Sequence, residues 1–157
     1  MKAFHINRLF NSIILSTFLM FSLSNCKKAG NSASKSEIEL EKQHNKCIER
    51  IITKDSVLGS VRNTATKSLT LTETITNYTK ALEELDFTDC PKQFTTAFKS
   101  HIEAWKNMKT LTVSHDTLRG EMHEVFKEIE TSADSVIFKT LLKDIWDTWD
   151  LVEDLKK

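Results

Sequence analysis

The sequence predicts an all-α fold, a small bundle of about four helices behind an N-terminal leader and a flexible tether, and three observations predict it. Only three Gly and one Pro occur in 157 residues, too few turn formers for a β sandwich. Lys, Glu, Leu and Thr, by contrast, are abundant. Beyond residue 36, apolar side chains return every three or four positions, the period of an amphipathic helix. At this length a hydrophobic share of 39% fills one core rather than two.

The charge balance excludes one function class. The formal net charge is zero, and after residue 25, which leaves Lys2 and Arg8 behind, the remainder carries two more acids than bases. A nucleic-acid binder needs a basic excess to displace counterions, and this chain has none.

The leader comes first in chain order. "MKAFHINR" is a positive n-region with Lys2 and Arg8, and "LFNSIILSTFLMFSL" an apolar h-region. A membrane span needs roughly 20 apolar residues. Here Asn11, Ser12, Ser16, Thr17 and Ser22 dilute a shorter run, so a cleaved export signal is expected, with an uncleaved anchor helix as the alternative.

The leader ends on "LSNC", Leu23 to Cys26, which resembles the lipobox of bacterial lipoproteins. The resemblance covers the leader and Cys26 alone. It implies that Cys26 receives a diacylglyceryl group, that residues 1–25 are removed, and that the mature chain begins at Cys26. Asn25 departs from the pattern, standing where Gly, Ala or Ser is usual. Lys27 in place of an aspartate after the cysteine implies the outer rather than the inner membrane. At about 0.8 kcal/mol per buried methylene, several acyl chains on one cysteine make a firm anchor. Residues 27–36, "KKAGNSASKS", small and polar, suit a tether, which leaves 37–157 for the bundle.

An exported chain meets an oxidising compartment, so Cys47 and Cys90 are candidates for a disulfide, two buried reduced thiols being the alternative. Cys47 has only His44 close by and Cys90 no close Cys or His, short of the paired ligands on both sides that a zinc site shows.

The helices follow. "SEIELEKQHNKCIERII" begins near Ser36 or Glu37 and places Leu40, His44, Cys47 and Ile51 on one stripe, with Glu37, Glu39 and Glu41 at the dipole's positive end. It fades around "TKDS". The second segment is Thr-rich, and Leu69 to Thr76 briefly alternates like a strand. Val57, Val61, Leu71, Ile75, Tyr78, Leu82 and Leu85 keep a helical spacing over a longer window, with Asp55 or Ser56 as N-cap; helix is therefore expected. In the third, Pro91 takes the first helical position behind Asp89 or Cys90, and Phe94, Phe98, His101, Trp105 and Met108 form the stripe, flanked by Ala97 and Ile102. A short amphipathic turn carries Met122, Val125, Phe126 and Ile129. "TSADS" then interrupts, with a possible capping box from Thr131 to Asp134. The last helix runs from about Ser135, burying Phe138, Leu142, Ile145, Trp149 and Val152, with Trp146 and Leu155 broadening the face.

Chemistry-bearing patterns are sparse. Glu41 and His44 form the Glu-x-x-His unit of di-iron bundles, but no second copy exists. His101, between Phe98 and Trp105, is either a core histidine or a haem ligand. His115 and His123, near Asp116, Glu121 and Glu124, are either a loose metal patch or solvated loop groups. No Gly-x-Ser-x-Gly, phosphate loop or His-Glu-x-x-His occurs. "DIWDTWDLVED" mixes aromatics with acids, which reads either as a binding face or as the solvated side of a terminal helix, its acids recurring every three or four residues.

The expectation is a lipid-anchored envelope protein, without enzyme activity or cofactor, that binds or scaffolds a protein partner. A small haem- or metal-binding bundle is the alternative.

Overall fold

The computed structural model describes residues 34–156, and the leader, Cys26 and the start of the tether lie outside them. The described chain is an all-α bundle of five helices: α1 Lys35–Ala65, α2 Leu71–Glu83, α3 Lys92–Thr112, α4 Met122–Glu130 and α5 Ser135–Asp154, with a 3₁₀ turn at Val113–His115. There is no strand among the described residues. None of these helices is long and apolar enough to cross a membrane.

Helix α1 starts at a capping box. The Ser34 hydroxyl accepts from the Glu37 N–H, and the Glu37 carboxylate accepts from the Ser34 N–H. The helix does not fade at "TKDS" but continues for another nine residues past Ser56, because nothing in "VLGSVRNTA" breaks a helix. Asp55 and Ser56 are therefore interior to α1 and cap nothing, and Val57 and Val61 are exposed on α1 rather than part of the second stripe. Leu40 is exposed as well, so the buried stripe of α1 begins only at Cys47, Ile48 and Ile51.

The Thr-rich segment is helical. Its cap is Thr70, whose hydroxyl accepts from the Glu73 N–H. The hydroxyls of Thr76 and Thr79 donate back to the carbonyls of Thr72 and Ile75, so both are satisfied within the helix. Leu71, Ile75, Tyr78 and Leu82 face the core.

The middle of the bundle is α3, which packs against α2 on one side and α5 on the other. Its whole expected stripe is buried: Phe94, Phe98, His101, Trp105 and Met108, with Ala97 and Ile102. Pro91 stands one position earlier than expected, at the N-cap, without a side-chain cap bond, a one-residue difference within the usual play of helix ends. Burial of Phe94, Phe98 and Phe138 contributes about 1.5–3 kcal/mol each.

The Cys47–Cys90 disulfide joins the first half of α1 to the approach to α3, with Cα atoms 5.1 Å apart. A second tie sits at the other end of α1: the Thr66 hydroxyl donates to the Gly120 carbonyl at 2.7 Å, and the Gly120 N–H donates back to the Thr66 carbonyl. The Thr131 to Asp134 capping box does not form. Thr131 closes α4 instead, and the Asp134 carboxylate turns to His115.

Candidate functional site

Extending α1 past Asp55 carries its later turns across the aromatic side chains of α2, α3 and α5. Asp55, Gly59 and Arg62 fall four and three residues apart, one above another on a single helix face. With Tyr78 from α2, His101 and Trp105 from α3, and Ile145, Trp146 and Trp149 from α5, they line a cleft of about 300 Å³.

Charge lies at its floor. Asp55 is nine-tenths buried, and the Tyr78 hydroxyl donates to its Oδ1 at 2.6 Å. Burial pushes the Asp55 carboxyl above the usual range, while the Tyr78 bond and the Arg62 charge pull it back down. Burial also raises the Tyr78 phenol far above its ordinary value, with the neighbouring Asp55 carboxylate adding to the shift. Tyr78 thus keeps its proton and donates it to Asp55.

Arg62 covers the rings below it. Its guanidinium carbon stands 4.5 Å above the Tyr78 ring and 4.1 Å above Trp105, and those two rings meet edge to face at 5.4 Å. Such contacts contribute on the order of 0.5–2 kcal/mol each. Nε and Nη2 donate to the Asn63 side chain, and Arg62 acts on Asp55 through space. Burial lowers the Arg62 pKa from its ordinary value.

The imidazole of His101 is committed on both sides. The indole N–H of Trp105 donates to Nε2 at 3.1 Å, so Nε2 bears the lone pair and Nδ1 the hydrogen. Nδ1 faces the Thr148 hydroxyl at 3.1 Å, whose own hydrogen goes to the carbonyls of Asp144 and Ile145. Burial holds the His101 pKa down at about 4. Ligating a haem iron or another metal here requires breaking the Trp105 bond.

The remaining candidates are not brought together. His115 is bonded to Asp134 at 3.0 Å, and His123 is an exposed residue 3.5 Å from the Glu121 carboxylate. No group of three or more His, Cys, Asp or Glu converges to hold a metal among the described residues. His44 is half-buried on α1.

Trp146 does not broaden the buried face of α5 as its position suggested. It is 58% exposed and lines the rim of the cleft beside Trp149, which is half-buried and packs on His101 with ring centres 5.1 Å apart. Asp144, Asp147, Asp150 and Asp154 all face solvent.

Sequence reasoning missed Arg62 and misplaced Asp55. The available signal was the α1 stripe itself: Ile48, Ile51, Asp55, Leu58, Arg62 and Ala65 follow one another at three- and four-residue steps, so two charges interrupt an apolar line. Compared with protein-family models, curated proteins and solved structures, the chain has no match. Its cleft is read from its own chemistry.

Proposed function

We propose that the chain is a lipid-anchored cell-envelope protein that works by binding, with Cys26 carrying the acyl chains and the bundle presenting the α1/α3/α5 cleft to the periplasm or the cell exterior. The leader, the lipobox-like "LSNC" and the small polar tether support the anchoring. A disulfide between Cys47 and Cys90 fits an oxidising compartment. Lys27 favours the outer membrane.

One observation carries the binding reading. A nine-tenths buried carboxylate and a half-buried guanidinium sit at the bottom of an open cleft with an exposed indole at its rim. Buried charge is costly to keep, and a concave site with a few convergent polar groups among aromatics is the usual form of a ligand pocket. Tyr78 and His101 are both held in unreactive states, so the reading includes no reaction.

The first test is the mass of the N-terminal peptide of the native protein recovered from the detergent phase. An acylated Cys26 is expected; an unmodified Cys26 behind an intact leader removes the anchor from the reading. The second is a photo-cross-linking residue placed at position 146 in intact cells. Reproducible capture of one envelope component supports the cleft as the working face, and consistent failure removes that support.

A further inference from the structure

We infer that the cleft is a carbohydrate site, taking one neutral sugar ring whose hydroxyls meet Asp55 and Arg62 while a C–H face lies against Trp146. This deepens the reading of the cleft as the ligand face and rests on it. Charge is the first ground. Asp55 and Arg62 are of opposite sign and act on one another, and His101 has both nitrogens engaged. The floor therefore asks for no net charge from its ligand, and an anion drawn to Arg62 also meets the Asp55 carboxylate.

The unused hydrogen-bonding capacity is the second. Asp55 Oδ1 is taken by Tyr78, leaving Oδ2 as an acceptor; Arg62 spends Nε and Nη2 on Asn63, leaving Nη1 as a donor. Thr74 Oγ1 is the fully buried side-chain polar atom without a partner among the described residues, so Oδ2 and Nη1 both retain access to water. A hydroxyl donates one hydrogen and accepts others. Two neighbouring hydroxyls on a ring answer an acceptor and a donor together, whereas an apolar ligand strands both.

Shape is the third. Trp146 offers a flat apolar face at the rim, with Trp149 beside it. The volume, about 300 Å³, stands at the lower end of the roughly 300–1,000 Å³ of small-molecule pockets, which suits a single ring better than a folded peptide.

The test uses the full chain in detergent, titrated with maltotriose, cellotriose and triacetylchitotriose as neutral probes and with citrate and inorganic phosphate as anions, followed by tryptophan fluorescence and saturation-transfer NMR. One neutral saccharide is expected to saturate the signal. Trp146→Ala, whose side chain is exposed and outside the core, is expected to weaken that binding by about tenfold or more with an unchanged unfolding midpoint, and Arg62→Lys to weaken it as well. Absence of saccharide binding up to ~10 mM, or binding that Trp146→Ala leaves unchanged, overturns the inference. If citrate or phosphate binds instead and Trp146→Ala weakens it, the sugar assignment falls while the cleft remains the ligand face. If no probe binds and cross-linking from position 146 captures nothing, both fall.

Discussion

Trp105 donates its indole N–H to Nε2 of His101 across 3.1 Å, and this contact fixes the tautomer of a buried imidazole at the centre of the bundle. Because burial holds His101 at about 4, well below its ordinary 6.5, the unfolded chain binds a proton between those values that the folded chain does not. Stability contributed by neutral His101 is complete above pH 6.5 and is lost as pH falls through about 4. The full shift corresponds to about 3 kcal/mol. Urea unfolding of wild type across this window is expected to show a decline that His101→Gln lacks. An NMR titration placing the His101 midpoint near 6.5 contradicts it.

Tyr78→Phe removes the donor from Asp55 Oδ1. Hydrogen bonds to charged groups contribute about 1.5–3 kcal/mol, and a loss of that order is expected at pH 7. The Asp55 pKa is raised in the folded state, so its contribution favours folding below the unfolded pKa and is lost as pH rises through the folded one. Tyr78 lowers that folded pKa; without it the deficit against wild type should grow from pH 4 to pH 7. Equal deficits at the two values would mean that Asp55 does not change charge there.

Reduction of the Cys47–Cys90 bond, or the Cys47→Ser and Cys90→Ser pair, releases a loop with a sequence separation of 43. The chain-entropy estimate is about 4 kcal/mol, a large part of a small domain's net stability. Denaturant midpoints with and without dithiothreitol should differ accordingly. Coincident curves would show that packing alone sets the stability.

Gly120 has φ +148°, and a Cβ built there stands 2.8 Å from the Glu124 carboxylate. Gly120→Ala is expected to cost about 1–3 kcal/mol through backbone strain, and to loosen the Thr66 tie. Hydrogen exchange should show faster opening at the C-terminal end of α1 than in the core of α3. Wild-type stability in this variant would contradict the strain.

The fold was legible where one face of a helix is predominantly apolar. The α3 stripe from Phe94 to Met108 needed no tertiary information, because every member is large and no second reading fits the spacing. The boundary of α1 was not legible, since "TKDS" carries helix-weakening residues without a true breaker, and packing against α2 and α4 overrides weak propensity. The cleft was the least legible part. Tyr78, His101, Trp105 and Trp149 all stood out as stripe residues, yet what makes them a site is Asp55 and Arg62, whose meaning comes only from α1 passing over three other helices. Trp146 could be assigned to either edge of the α5 stripe, and only the neighbour's position decides which edge stays wet.

The disulfide has a mechanical consequence. Residues 35–46 of α1 are exposed apart from half-buried His44, and twelve residues of helix rise about 18 Å, so this part of α1 is a stiff, largely solvated arm. Tension applied at its N-terminal end runs along the helix to Cys47 and there crosses a covalent bond to Cys90, at the foot of α3. Asp55 and Arg62 lie farther along α1, beyond that crossing point. In the proposed lipid-anchored form, the turns that shape the cleft therefore lie off the load path, and drag on the anchor leaves the proposed ligand face slack.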